Sequence, residues 1–323
     1  MRSTDAGRMI LGVLALFGVA LAAPRAGAYE EEETEGVFMR SCEMPAWSPD
    51  GTRIAYSADA AMSMEEDVNY EIYVIQLQTG AIARLTTDPS RDTDPAWSPD
   101  GSRIAFSSDR SGQSEVWIMN ADGSTQMQLT RQHFEDDKTG RGNSGPAWSP
   151  DGTIIAFSSD RAGKSDIVIM APDGTELRYF VAFPTTSEGD STWSPDGQRI
   201  AFSGEGGVWV RNLDGSALTQ LTVEPQGTFD GEARWSPTGT KIALRRADLA
   251  NHGANIYVMN DDGSDLHPLF ANPPSGRVDD PAWSPNGAKI AFVAGNPNGK
   301  GEEIFYANAD GTGITQVTHL NDQ

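Results

Sequence analysis

One short phrase recurs along this chain and limits what it can fold into more than any other feature. The first copy is Pro-Ala-Trp-Ser-Pro-Asp-Gly at 45–51, and every copy keeps Trp-Ser-Pro. The intervals between successive repeat tryptophans are 50, 51, 45, 42 and 48 residues. Self-similarity at this period, with several short strands per unit, is typical of propeller blades. The repeat tryptophans are Trp47, Trp97, Trp148, Trp193, Trp235 and Trp283.

Each unit divides into four short strands, and the second unit illustrates the pattern. Residues 95–97, 103–107, 115–120 and 127–130 are strand-like, and Ser-Pro-Asp-Gly at 98–101 and Ala-Asp-Gly at 121–123 are turn sequences. The third strands are apolar almost throughout, which indicates sheets covered on both faces. The sequence therefore predicts an all-β, six-bladed β-propeller of four-stranded antiparallel blades. The predicted blades are 37–88, 89–133, 134–184, 185–224, 225–272 and 273–320, within a domain at 37–323.

The amino-terminal segment is typical of an export signal. Arg2 and Arg8 precede a short apolar run, and Ala26-Gly27-Ala28 is a small-residue cleavage site. We therefore predict a signal peptide at 1–28, followed by an acidic disordered segment at 29–36. The mature protein is expected to be periplasmic or secreted, with no membrane span after cleavage.

The charge balance excludes one class of partner and leaves others open. The formal net charge is −22 at pH 7, and nucleic acids and anionic membranes need basic surfaces. A basic protein or a cation remains compatible. Cys42 is the single cysteine, so no intramolecular disulfide can form, and it is either a buried small side chain or an intermolecular thiol.

The repeat units resemble the WD40-like (PD40) repeats of the TolB family. The resemblance is carried by the phrase at 45–51, by Ser-Ser-Asp-Arg at 107–110 and 158–161, and by Ile-Tyr-Val-Met-Asn at 256–260 with its following Asp-Gly. It implies a periplasmic propeller that binds a protein partner at its mouth, as TolB binds Pal in the Tol–Pal envelope system. TolB proteins also carry an N-terminal α/β domain, which we expect to be missing here.

Strand order assigns the connections to two ends of the propeller. The Ser-Pro-Asp-Gly turns and the Asp-Gly turns lie on one end, which we call the turn face. The loops between second and third strands and between blades lie on the other end, the loop face. The long insertions at 59–69, 131–145, 271–279 and 295–302 all fall on the loop face, where binding sites on a rigid scaffold are common.

Acidic residues recur at the loop face near the start of the first strands, which should line the channel. They could seat Ca²⁺ or a basic side chain of a partner, because crowded carboxylates repel without a compensating charge. Alternatively, each could cap nearby backbone and join neighbouring blades. The candidates are Glu43, Asp92, Asp94, Asp190, Asp230, Glu232, Asp279 and Asp280.

Further loop-face candidates are Asp109, Arg110, Asp160, Arg161 and His133. The four histidines do not show zinc-ligand spacing, and no nucleophile motif occurs. We therefore expect a monomeric, non-enzymatic module that binds a protein partner, which could be a Pal-like envelope protein. We expect no cofactor, apart from Ca²⁺ if the acids bind it. The alternative is a propeller enzyme, a lyase or lactonase-like hydrolase, that uses a divalent cation at the channel mouth.

Overall fold

The computed structural model describes residues 41–59, 69–131, 142–160, 163–297 and 301–319. The predicted signal peptide and the acidic segment at 29–36 lie outside these residues. All strands within them belong to six antiparallel sheets of four strands. No helix in these ranges is long and apolar enough to cross a bilayer.

The first three blades are consecutive in the chain. Blade 1 contains β1 (Cys42–Trp47), β2 (Arg53–Asp59), β3 (Tyr70–Gln76) and β4 (Ile82–Arg84). Blade 2 contains β5 (Asp92–Trp97), β6 (Arg103–Ser108), β7 (Glu115–Asn120) and β8 (Met127–Gln128). Blade 3 contains β9 (Asn143–Trp148), β10 (Ile155–Ser159), β11 (Asp166–Met170) and β12 (Arg178–Val181).

The last three blades repeat the same order. Blade 4 contains β13 (Gly189–Trp193), β14 (Arg199–Gly204), β15 (Gly207–Asn212) and β16 (Thr219–Gln220). Blade 5 contains β17 (Thr228–Trp235), β18 (Lys241–Asp248), β19 (Gly253–Asn260) and β20 (His267–Pro268). Blade 6 contains β21 (Val278–Trp283), β22 (Lys289–Gly295), β23 (Glu302–Asn308) and β24 (Thr315–Gln316).

The six first strands contact one another in a closed cycle, from β1 to β5 and onward to β21, which returns to β1. The first strand is an edge of every sheet and the fourth strand is the opposite edge. This arrangement places the first strands around a central channel. The prediction of a six-bladed propeller with four antiparallel strands per blade is confirmed.

The core lies between the blades rather than inside one of them. Each hydrophobic cluster combines side chains of two adjacent blades, such as Ile72 of blade 1 with Phe106 of blade 2. Full burial of a large apolar side chain stabilises a fold by about 1.5–3 kcal/mol. Second strands supply all five of the largest fully buried aromatic residues in the described ranges, which are Tyr56, Phe106, Phe157, Phe202 and Phe292.

The Ser-Pro-Asp-Gly turn is held by its own side chains. In blade 1, Ser48 Oγ donates to Asp50 Oδ1 at 2.5 Å, and the Thr52 backbone N–H donates to the same oxygen at 3.0 Å. These hydrogen bonds lower the pKa of Asp50 to about 2. Gly51 closes the turn with φ of 69°, a conformation that favours glycine.

The repeat tryptophans join adjacent blades by hydrogen bonds. The Trp97 indole N–H donates to the Ala46 carbonyl of the preceding blade at 3.2 Å, and Trp193 donates to Ala147 at 3.1 Å. Trp47, Trp148 and Trp283 make the same contact with their preceding blades. Trp235 is the exception, because its buried Nε1 has no acceptor among the described residues.

Polar groups also cross the blade junctions near the loop face. Between blades 2 and 3, Glu115 accepts hydrogen bonds from Thr130 Oγ1 and from Asn143 Nδ2, the latter at 2.6 Å. Glu115 is 2% exposed and Asn143 is fully buried. A buried carboxylate costs free energy unless it is hydrogen-bonded, so the amide of the following blade offsets that cost.

The junction between blades 6 and 1 resembles the junction between blades 2 and 3. Glu303 accepts from Thr318 Oγ1 at 2.5 Å, and Cys42 occupies the place that Asn143 has between blades 2 and 3. The Cys42 Sγ lies 3.9 Å from Glu303 Oε2, and burial followed by the Glu303 charge raises the pKa of the thiol. The described strands of blade 6 are consecutive in sequence, and Ser41 adds an isolated bridge to Glu302.

The indole contacts lead to a paired prediction. We expect Trp193→Phe to lower the free energy of unfolding by about 1 kcal/mol more than Trp235→Phe, because only Trp193 loses a hydrogen bond. The two tryptophans are 7% and 6% exposed, so the loss of packing is matched. Urea unfolding of both variants measures the difference. Equal losses would contradict the assigned role of the indole.

The junction between blades 6 and 1 gives a second prediction. We expect Cys42→Asn to unfold at the wild-type temperature or above, because an amide can donate to Glu303. Cys42→Asp should unfold at a lower temperature, because it sets a second carboxylate beside Glu303. The reciprocal variant Asn143→Cys should lose about 1–3 kcal/mol. Thermal unfolding measures all three, and a destabilised Cys42→Asn with an unaffected Asn143→Cys would refute the equivalence.

Candidate functional site

A backbone irregularity places one residue of every first strand at the loop-face end of the channel. The register between first and second strands shifts at the third residue before each repeat tryptophan. That residue has a left-handed conformation, and β-bulges of this kind re-aim a side chain. We call the six the mouth residues: Met44 (φ 55°), Asp94 (54°), Gly145 (63°), Asp190 (53°), Glu232 (52°) and Asp280 (54°).

Five of the six mouth residues border the cavity in the channel. This cavity has a volume of about 390 Å³. At its loop-face end it is lined by Met44, Asp94, Gly145, Asp190 and Asp280. Three carboxylates therefore lie around one opening, together with one apolar side chain and one position that has no side chain.

Three mouth carboxylates form a series of hydrogen bonds from blade to blade. Asp190 accepts from the Glu232 backbone N–H at 3.3 Å, and Glu232 accepts from the Asp280 backbone N–H at 2.7 Å. Asp280 in turn accepts from the Met44 backbone N–H at 3.0 Å. These contacts join blades 4, 5, 6 and 1. We call Asp190, Glu232 and Asp280 the carboxylate series.

The carboxylate series ends where the mouth residue has no carboxylate. Met44 and Gly145 cannot continue it, and the Gly145 backbone N–H donates to Ser107 Oγ at 3.1 Å instead. Asp94 lies between these two positions, and its carboxylate accepts from the Thr93 hydroxyl of its own blade at 3.0 Å. A Cβ at Gly145 would meet no atom within 4 Å. Asp94 therefore borders an open part of the mouth.

Burial and nearby negative charges raise the pKa of two members of the carboxylate series, Glu232 and Asp280. Burial, the largest cause, raises the pKa of Asp280 to about 6, while the Met44 N–H and the Arg234 charge act in the opposite direction. Burial raises the pKa of Glu232 well above its ordinary value, and the charges of Asp280 and Asp190 add to that shift. The series therefore holds a proton more readily than separate carboxylates would.

Three of the predicted acids are paired with arginines. Asp92 Oδ2 lies 2.6 Å from Arg110 Nη2, and Asp92 is fully buried. Asp230 is also fully buried and binds the Arg246 guanidinium through both oxygens at 2.6 Å. Asp279 contacts Arg277 at 2.5 Å and also contacts Arg245. These arginines already neutralise much of the charge that the sequence assigned to the mouth.

The remaining candidates do not join the mouth cluster. Glu43 accepts from the Tyr70 hydroxyl at 2.8 Å, within blade 1. Asp109 accepts from the Arg91 backbone N–H at 2.8 Å, and Asp160 is 8% exposed, with its backbone N–H donating to the Gly142 carbonyl at 3.3 Å. His133 and Arg161 lie outside the described residues.

The channel wall contains polar residues that the sequence reasoning missed. The two residues before each repeat tryptophan are Pro-Ala in blades 1, 2, 3 and 6, but they are Ser191-Thr192 in blade 4 and Ala233-Arg234 in blade 5. All of these except Ala233 line the cavity. The departure from the repeat was visible in the sequence and was the signal available to find them.

The chemistry of the mouth follows from its donor set. The carboxylate oxygens accept hydrogen bonds and attract cations, and nothing among the mouth residues can serve as a nucleophile activated by a base. In the described ranges, no three His, Cys, Asp or Glu side chains are grouped so that they could hold a metal ion. The arrangement suits the binding of a basic side chain.

Comparison with known proteins shows similarity to TolB proteins. The Tol-Pal system protein TolB of Bordetella pertussis is 36% identical over 177 residues, which are 51% of this chain and 37% of that protein. The chain thus matches little more than a third of the length of that relative.

Solved structures share the fold at low sequence identity. A putative TolB from Agrobacterium tumefaciens has a TM-score of 0.62 and 22% identity, over 76% of this chain and 87% of that chain. An oligogalacturonate lyase in complex with manganese has a TM-score of 0.56 and 13% identity, over 87% and 78%. These likenesses establish the fold alone.

The family assignment rests on a match along the whole propeller. The family model described as the TolB beta propeller domain (PD40) matches residues 28–141 and 137–323. The ranges include all six blades and both ends of the channel. The chain belongs to the TolB β-propeller domain family.

Proposed function

We propose that this chain is an exported, TolB-like scaffold that binds a protein partner at the loop face, in the periplasm or outside the cell. Family membership supports a binding propeller, and the relatives are named as Tol-Pal system proteins. By that analogy, the first candidate partner is the Pal-like protein of the same organism. The proposal needs no cofactor and no catalytic step.

One observation carries this proposal, namely the open carboxylate Asp94 at the mouth. The carboxylate series already has backbone donors, whereas Asp94 accepts, among the residues that the structure describes, only the hydroxyl of Thr93 and borders the space at Gly145. A lysine or arginine side chain of a partner could enter that space and pair with Asp94. Asp190 and Asp280 line the same opening and would add to its attraction.

The overall charge of the chain also favours a basic partner. With a formal net charge of −22, the chain attracts a basic surface over a distance and repels an acidic one. Complementary charge mainly raises the association rate and selects the partner. The buried pairs of Asp92, Asp230 and Asp279 with arginines leave the mouth residues as the acidic feature of the channel opening.

A charge-neutralising variant tests the mouth. We expect Asp94→Asn combined with Asp280→Asn to weaken binding of the purified Pal-like protein at least tenfold, equivalent to about 1.4 kcal/mol. Asparagine keeps an acceptor for the Met44 N–H, so the fold should survive. Isothermal titration calorimetry measures the affinity.

The matched control removes two charges from the turn face. Asp122→Asn combined with Asp262→Asn changes two exposed hairpin carboxylates, and this variant should bind as the wild type does. Failure of the wild type to bind would exclude the Pal-like partner. Equal binding by both double variants would exclude the mouth as its site.

The raised pKa of Asp280 gives a pH prediction. Asp280, with a pKa of about 6, gains its charge as the pH rises, so affinity for a basic partner should increase between about pH 5 and 7. Asp280→Asn should remove most of that increase. Calorimetry at several pH values, with wild type and variant compared against the same partner, measures the effect. An identical pH profile for the two proteins would contradict the role of Asp280.

A further inference from the structure

The channel wall changes character between blades 4 and 5. Around the rest of the channel, the residues before the repeat tryptophan are proline and alanine, which offer no side-chain hydrogen bonds. Blade 4 places Ser191 and Thr192 there, and blade 5 places Arg234. These three side chains line the same cavity as the mouth residues, but farther from the loop face along the strands.

Two buried polar atoms in this part of the wall lack partners. Ser191 is 4% exposed and its Oγ has no hydrogen bond among the described residues. Trp235 is 6% exposed and its Nε1 has no acceptor in the described part of the chain, although the other five repeat tryptophans donate to the preceding blade. Leaving a buried polar group unpaired costs about 1–3 kcal/mol. The wall between blades 4 and 5 therefore has unsatisfied donors beside the cavity.

Arg234 adds a positive charge that forms no ion pair within the described ranges. Its Nη1 donates to the Ala233 carbonyl at 2.8 Å. It acts on Asp280 through its charge, which lowers the pKa of that carboxyl. Most guanidinium N–H groups of Arg234 thus remain available, and a guanidinium binds planar carboxylates through two parallel hydrogen bonds.

We propose that Arg234, Ser191, Thr192 and Trp235 form a carboxylate-binding site in the channel. An indole N–H and a guanidinium only donate, and hydroxyls can donate, so the four side chains call for a group with several acceptor oxygens. The positive charge of Arg234 favours an anionic group, and a carboxylate fits a guanidinium through two parallel hydrogen bonds. The cavity of about 390 Å³ accommodates a small molecule or the end of a peptide. The site goes beyond the proposed partner contact at the mouth and does not depend on it.

The ligand is expected to enter from the turn face. The loop-face opening carries Asp94, Asp190 and Asp280, which repel an anion. The same cavity reaches Trp47 and Pro49 at the other end, where the lining side chains are uncharged. The carboxylate could belong to a free small acid or to the C-terminus of a peptide, because both present the same two oxygens.

The test follows the indole signal of Trp235 during titration. The probes are sodium acetate, the peptide N-acetyl-Gly-Gly-Ala with a free carboxylate, and the same peptide as its amide, all at constant ionic strength. The readout is the Trp235 Nε1–H cross-peak in a ¹H–¹⁵N spectrum, assigned with Trp235→Phe. We expect acetate or the free peptide to shift this cross-peak, and the amide to leave it unchanged.

The variants distinguish specific binding at Arg234 from a general effect of positive charge. Arg234→Ala should weaken carboxylate binding at least tenfold, and alanine already stands at this place in four blades. Arg234→Gln serves the same purpose if the alanine variant does not fold. Arg178→Ala removes one exposed positive charge from β12 and should leave binding unchanged.

Each outcome decides the proposal. Tighter binding of the free peptide than of acetate assigns the site to a peptide C-terminus, and equal or tighter binding of acetate assigns it to a small acid. The proposal is overturned if neither carboxylate shifts the cross-peak, if the amide acts like the acid, or if the Arg234 variants bind normally. Partner binding at Asp94 and Asp280 is measured separately, so the two proposals can fail independently.

Discussion

The packing of one blade against the next is the constraint on which the rest of the structure depends. A four-stranded sheet with two apolar faces cannot remain in water, so each blade needs a neighbour on both sides. The tryptophan at the end of every first strand packs in that interface and, in five blades, donates its indole N–H to the preceding blade. Because these contacts are made at the innermost strands, they also fix the width of the channel.

Acidic residues serve two purposes in this arrangement. Among the buried ones, Glu115 receives a donor from the next blade and joins two blades, whereas Asp230 binds an arginine on the neighbouring strand of its own blade. At the mouth, the carboxylates of the carboxylate series have a structural role, whereas the carboxylate of Asp94 borders an open space. The difference depends on whether the adjacent blade presents a backbone N–H to the carboxylate or a gap.

The sequence predicted the six blades and the four strands of each, because these repeat in register with Trp-Ser-Pro. It also assigned eight acids to the channel mouth, of which Asp94, Asp190, Glu232 and Asp280 are mouth residues. It did not predict which acids would be neutralised. Asp230 and Asp279 pair with Arg246, Arg245 and Arg277, and these arginines do not recur at a fixed offset from the acids. Their pairing depends on the lateral position of strands, which a one-dimensional pattern does not contain.

The departures from the repeat stand in the sequence, but their meaning depends on the fold. Ser191, Thr192 and Arg234 interrupt a Pro-Ala pattern, and their meaning emerged only once the first strands were seen to surround one cavity. In a repeat fold such exceptions are informative, because the equivalent positions of the other blades show which residues packing alone requires. Alanine at four equivalent positions shows that the fold does not need an arginine at 234.

The closure between blades 6 and 1 has a consequence for the gene as well as for the fold. Each described sheet is built from four strands that are consecutive in the chain, and the last blade meets the first through an indole hydrogen bond and a mouth-carboxylate contact of kinds that also occur at other junctions. No blade is therefore privileged as the beginning. A circular permutation that joined the two ends and opened the chain in another connection between blades would preserve every interface, so the ring can tolerate duplication and rearrangement of whole repeat units.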